Sequence, residues 1–236
     1  MSFIERLRVH IDYRGQKIGR QINEYLIDYT KDLLKQKKIN KIALASHLNN
    51  KESVSLVKKL NFKLKQENLV LWKEELDLGL DAESTLTLKN FSFKNWSCSF
   101  EEFTNLEYIK RRNNLIDLSY VFQRPTYKLY EEIKSTDGFV EINGYRGIFK
   151  LKGDPYFITL DESFEAINTF TNYYLLKLKL ESELKLETHN KPIFSTSPVT
   201  SLTEINPAII QRLKEEKYTS WSNWQKDYLY FVYEEI

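Results

Sequence analysis

A single cysteine, Cys98, occurs in 236 residues, which excludes an internal disulfide and every metal site built from several cysteines. No uninterrupted apolar run reaches the about 20 residues that cross a bilayer, and Glu5, Arg6 and Arg8 occupy the place where a secretory leader carries its apolar core. The expectation is a soluble, cytoplasmic protein with no membrane partner. Seven glycines and five prolines leave no flexible low-complexity linker. The net charge is only +2, with Lys and Arg matched by Asp and Glu along most of the chain, so no global electrostatic case exists for a nucleic-acid partner. Any anion site must be local.

Fifteen tyrosines and fourteen phenylalanines point instead to dense aromatic cores. The apolar periodicity then gives an order of elements. Residues 3–9, FIERLRV, alternate as a strand with Phe3, Leu7 and Val9 on or near one face. After a turn rich in basic residues and glycine, Ile18, Ile22, Tyr25, Leu26, Tyr29, Leu33 and Leu34 recur at helical spacing to about Lys37, with Arg20, Asn23, Asp28, Lys31 and Asp32 on the other face. KIALAS at 41–46 is a buried strand, Asn49, Asn50 and Ser53 open a second helix to about Leu60, and KLKQENLVLWKE is a further strand. This βαβαβ series predicts parallel pairing of its strands and an α/β fold class with a mixed sheet.

The texture changes after residue 75, which divides the chain into regions 1–75 and 76–236. In the second, SFEEFTNLEYIKRRNN has helical spacing, and Asn143-Gly144 turns a hairpin. YFITL is a strand, Asp161 or Ser163 caps a long helix to about Leu186, and KPIFSTSPVTSLTEINPA is a loop-rich connection. The closing KDYLYFVYEE is an apolar strand of the kind that completes a sheet. Lys110-Arg111-Arg112 reads as a solvated helix face, and Trp221 and Trp224 as core aromatics.

The stretch RVHIDYRGQKIGRQI, residues 8–22, holds the clearest chemistry. It sets Arg14, Gly15, Gln16, Lys17, Ile18, Gly19 and Arg20 where a strand hands over to a helix. Amide groups at a helix N-terminus, reinforced by the helix dipole and nearby cations, suit phosphate.

The order strand, R-G-x-x-I-G-R, helix, strand, Asn-containing turn, helix, K-x-N-F resembles the coenzyme-binding half of the Gcn5-related N-acetyltransferase (GNAT) family. That family's pattern Q/R-x-x-G-x-G/A matches at Arg14 to Gly19, with Lys17 standing where the first glycine is usual. The segment Asn50 to Phe62 resembles the family's N-x-x-A-x-x-L-Y-x-K-x-G-F through Asn50, Leu56, Lys59 and Phe62. Ser53 stands for the alanine, Asn61 for the glycine, and Val57 replaces the tyrosine that often serves as general acid. The strands that open the family's domain find no match ahead of residue 3. E-x-L-R-V at Glu5 to Val9, followed by a long second region, resembles histidine N-acetyltransferase-type members, which carry an added C-terminal domain; the second region would complete or cap the acceptor site.

This resemblance implies a transferase that moves an acetyl group from acetyl-CoA to a primary amine of a small molecule or amino acid, without a metal; a homodimer is left open. Pantetheine would lie between parted parallel strands at 3–9 and 41–46, along Leu7 and Val9. The diphosphate would meet Arg14, Gly15, Gln16, Lys17, Ile18, Gly19 and Arg20, with Asn50 nearby. Glu5 and His47 are the candidate proton acceptors. A GNAT-derived module that binds coenzyme A or a protein partner without turnover is the alternative.

Overall fold

The computed structural model describes residues 2–4, 9–73, 87–118, 121–150, 156–187, 199–202, 206–220 and 222–234. The chain falls into two compact units, residues 1–67 with 226–236, and residues 68–225. The fold is mixed α/β, as the alternation of elements predicts.

In the first unit, β1 (Ser2–Ile4) runs parallel to β2 (Ile42–His47), with Ser2 opposite Ile42 and Ile4 opposite Leu44. The crossover between them is α1 (Ile18–Lys35), and α2 (Lys51–Lys59) follows β2. Parallel neighbours need such a helical crossover because a tight turn can only reverse the chain. β3 (Phe62–Trp72) begins in this unit and ends in the other. The last strand, β12 (Tyr228–Tyr233), lies antiparallel beside β2, with Phe231 opposite Leu44, and has β3 as its other neighbour. The closing apolar segment thus completes the sheet of the first unit, whereas a single division after residue 75 had grouped it with the second region.

Alternation along the strands explains the core. Ile42 and Leu44 of β2 and Leu229 and Phe231 of β12 share a cluster with Ile27 of α1, Val57 of α2 and Phe62 of β3. Helix α1 does not present the face its apolar periodicity suggests. Ile27 and Thr30 are its buried residues, while Ile22, Tyr25 and Tyr29 are exposed. Thr30 tolerates burial because its hydroxyl donates to the carbonyls of Leu26 and Ile27 at 2.9 Å each.

The second unit contains a four-stranded antiparallel sheet in the order β4 (Phe93–Asn95), β7 (Phe139–Ile142), β8 (Tyr145–Lys150) and β9 (Tyr156–Thr159). Its two faces divide the aromatic residues by strand alternation. Phe139, Ile148 and Ile158 pack with Phe103 of α3 (Phe100–Asn105), Ile109 of α4 (Glu107–Arg111) and Tyr130 of α5 (Tyr127–Lys134). Val140, Phe149 and Phe157 pack with Phe170 and Tyr174 of α6 (Phe164–Glu187). The β7–β8 hairpin turns through Asn143 (φ 51°) and Gly144 (φ 84°), the left-handed pair its sequence calls for. Ser163 caps α6 by accepting the amide of Ala166.

Beyond that sheet, β5 (Ile116–Leu118) and β6 (Val121–Gln123) pair with each other. A strand not foreseen in the loop-rich connection, β10 (Val199–Leu202), pairs antiparallel with the end of β3, as does β11 (Thr219–Ser220). Asn206 caps α7 (Pro207–Glu215), which has proline at its start. Arg112 departs from the expected solvated basic face: it is buried, holds Glu162 at 2.7 Å and lies 4.1 Å from the Tyr108 ring centre. No helix among the described residues is long and apolar enough to cross a membrane.

Candidate functional site

The start of α1 is built by backbone conformation. Ile11–Tyr13 form one 3-10 turn, closed by amides of Tyr13 and Arg14 donating to the carbonyls of His10 and Ile11 at 3.0 and 3.1 Å. Gly15 follows at φ +80°, a left-handed value that glycine adopts without steric cost, and a Cβ there would meet nothing within 4 Å. Lys17, the residue before the helix, is also left-handed, at φ 62° and ψ 9°. Glycine, usual at this position of the pattern, adopts that conformation without steric cost.

Lys17 is exposed, and its side chain makes no capping bond to the helix; the first turn of α1 carries no acidic residue. The first amides of a helix have no partner within it. Those of Ile18, Gly19 and Arg20 are therefore not met by a cap or a carboxylate from their own turn. The three nearby cations differ. Arg14 folds back so that its Nε donates to the Val9 carbonyl at 3.2 Å, and Arg20 pairs with Glu24 at 2.8 Å. Lys17 forms no ion pair among the described residues. The Gln16 side chain donates through Nε2 to the Asp12 carbonyl at 3.4 Å and so braces the turn. Gly19 has a separate reason to be small: a Cβ there would lie 3.1 Å from Val9 Cγ2. Val9, Arg14, Gly15, Gln16, Lys17, Ile18, Gly19 and Arg20 thus belong to one local turn. Glu5 and Leu7 lie outside the described residues. Tyr13 is exposed.

At the other end of β2, His47 is held through Nδ1 of its ring. Nδ1 accepts the amide of Asn49 at 3.1 Å, which leaves the proton of a neutral ring on Nε2. Nε2 lies 3.7 Å from Oδ2 of Asp227, whose side chain is fully buried. The Leu48 amide donates to the Asp227 carbonyl at 2.7 Å. The Asn49 amide occupies Nδ1, and the ring lies between the end of β2 and the start of β12. Asp227 was not foreseen, since a single acidic residue ahead of an apolar strand carries no signal of its partner. Asn50 caps α2, its carboxamide oxygen accepting the Ser53 amide at 3.2 Å. Val57 is buried in the core, and Asn61 takes the left-handed backbone, φ 66°, that explains glycine in the family pattern.

Residues 1–62 match the model of the acetyltransferase (GNAT) family. The resemblance carried by Arg14 to Gly19 and Asn50 to Phe62 is borne out over that stretch. No curated protein matches the chain by sequence. Among solved structures, the chain is similar to a GCN5-related N-acetyltransferase from Sphaerobacter thermophilus at 7% identity and a TM-score of 0.47, covering 95% of this chain and 70% of that one. It is also similar to a protein from Thermoplasma acidophilum assigned as an acetyltransferase, at 13% identity and a TM-score of 0.49, covering 99% and 69%.

Proposed function

We propose that this protein is an N-acetyltransferase of the GNAT type, moving an acetyl group from acetyl-CoA to a primary amine of a small molecule or amino acid. The observation that carries the reading is the uncapped start of α1, left-handed at Gly15 and Lys17, within the stretch that matches the family. A diphosphate is a fitting occupant, because those amides point outward and the helix dipole favours negative charge there. Lys17 supplies a mobile cation to the same place. Parallel pairing of β1 with β2 supports a donor lying along these strands, as the resemblance implies.

In the transfer, the amine nitrogen attacks the thioester carbonyl carbon, the C–S bond breaks and the thiolate leaves. The amine must first lose a proton. Glu5 and His47 are the proposed acceptors, Glu5 by the resemblance alone and His47 by its place at the end of β2, with Asp227 Oδ2 3.7 Å from its Nε2. Val57 has no proton to give, so the thiolate takes one from water or another group.

The test is calorimetric titration with acetyl-CoA of the wild-type chain and of Lys17→Glu. The variant places a carboxylate at the proposed diphosphate site, yet position 17 is exposed and an acid at a helix start is tolerated. Binding is expected to weaken about tenfold or more, the equivalent of roughly 1.4 kcal/mol, with no loss of thermal stability. Equal affinities would remove the site. A second reading, coenzyme binding without turnover, is favoured by the buried Val57. Thiol release across a panel of amines separates the two readings, since binding without release selects the second.

A further inference from the structure

We infer that the run from β9 to β12 is a second copy of the module that runs from β1 to β3, that its own helix start is closed to a coenzyme, and that each copy gives its final strand to the other's sheet. The copies match step by step around their second helix. Asn50 caps α2 and Asn206 caps α7, each through its carboxamide oxygen, and both helices are nine residues long. Val57 and Leu213, at the same distance from the cap, are buried in the cores. Asn61 and Lys217 then take left-handed backbone at φ 66° and 61°, and their amides close on the carbonyls of Lys58 and Lys214 at 3.3 and 3.0 Å. Buried Phe62 and Tyr218 come next and lead into β3 and β11. Ahead of the shared run stand β1, the 18-residue α1 and β2 in one copy, and β9, the 24-residue α6 and β10 in the other. β10 lies beside β9 as β2 lies beside β1. A left-handed residue other than glycine is uncommon, so its return at one step of an equal run of elements marks a repeat of structure and not of composition.

The final strands are exchanged. In the first unit β12 lies antiparallel to β2 and has β3 as its other neighbour. In the second, the end of β3, Leu69 to Trp72, lies antiparallel to β10 and pairs on its other side with β11. The equivalent slot of each sheet is thus filled by the strand that ends the other copy. The exchange also carries Asp227, just ahead of β12, to 3.7 Å from Nε2 of His47, so the second copy furnishes the group that faces a candidate base of the first. It does not repeat the anion site, a comparison that rests on the function proposed above for the start of α1. Where α1 starts uncapped and without an acid, α6 starts with its amides used: Asp161 Oδ1 accepts that of Ser163 at 2.8 Å, and Ser163 Oγ that of Ala166 at 3.3 Å. Glu165, in its first turn, holds Arg212 at 2.5 Å, and Glu162 holds the buried Arg112 at 2.7 Å. These carboxylates take both the place and the charge of a phosphate.

Two measurements on the full chain test this. Calorimetric titration with acetyl-CoA is expected to give one coenzyme per chain, and two per chain overturn the closed copy. No binding at all overturns the function proposed above, and the exchange is then decided by unfolding. The tryptophans, at positions 72, 96, 221 and 224, all fall within residues 68–225, so their fluorescence reports the second unit. Leu44→Ala removes core from the first unit. With the final strands exchanged, neither sheet is complete without the other copy, and the urea midpoint by tryptophan fluorescence is expected to fall together with that by far-ultraviolet circular dichroism, by roughly 1 M. Leu44→Val, the smaller deletion, is expected to move both midpoints the same way by less. A tryptophan midpoint that holds its wild-type value in these variants, while circular dichroism gains an earlier phase, overturns the exchange.

Discussion

Val9 and Gly19 touch across the turn that opens α1: a Cβ at position 19 would lie 3.1 Å from Val9 Cγ2. The glycine of the family pattern is thus constrained here by the protein's own Val9, independently of any ligand.

That contact predicts strong coupling. Gly19→Ala gains helix propensity, about 1 kcal/mol in a helix interior and less in a first turn, while crowding Val9 opposes the gain. With Val9→Ala as background the opposition disappears. A double-mutant cycle by urea denaturation is expected to show a coupling of at least about 0.5 kcal/mol. Additive changes would mean that Val9 yields freely and that Gly19 needs another explanation.

Lys17 carries two opposed effects. Its left-handed backbone, φ 62°, costs a side-chain-bearing residue roughly 1–2 kcal/mol relative to glycine, partly offset by the entropy glycine loses on folding. Lys17→Gly is therefore expected to raise the urea midpoint by the equivalent of about 0.5–1 kcal/mol, while weakening acetyl-CoA binding several-fold and flattening its salt dependence. A variant that binds as tightly as the wild type would show that the backbone alone holds the diphosphate.

Cys98 gives a pH dependence. Burial first, then the charge of Glu102, push its thiol from an ordinary 9.0 up to about 12, with Arg146 pulling weakly the other way. The neutral thiol is favoured in the folded state, so its contribution to stability is complete below about pH 9 and is lost as pH rises from about 9 toward about 12. At pH 8 the native protein should resist iodoacetamide and the urea-unfolded chain should react. Rapid native alkylation would contradict the burial of this side chain.

The features legible in advance are those settled by residues close in sequence. Asn50 caps α2 through Ser53, and Asn143-Gly144 turns its hairpin, because a short polar side chain or a left-handed pair acts within a few bonds of itself. The turn from Arg14 to Arg20 belongs to the same class, which is why the family pattern could be located before any long-range contact was known. The parallel pairing of β1 and β2 followed from the length of the intervening helix.

Other features depended on what came to lie beside each residue. Periodicity drew a stripe along α1 but could not say which side would meet β2, and the core took Ile27 while leaving Tyr25 outside. Arg112 looked like one of three surface cations until Glu162 and Tyr108 enclosed it. His47 was read alone, whereas the fold sets Asp227, from the far end of the chain, 3.7 Å from its Nε2. Turns and caps are local equilibria written in neighbouring residues; partnership across the chain is set by packing, where burial of one face excludes another and a charge is judged by what surrounds it.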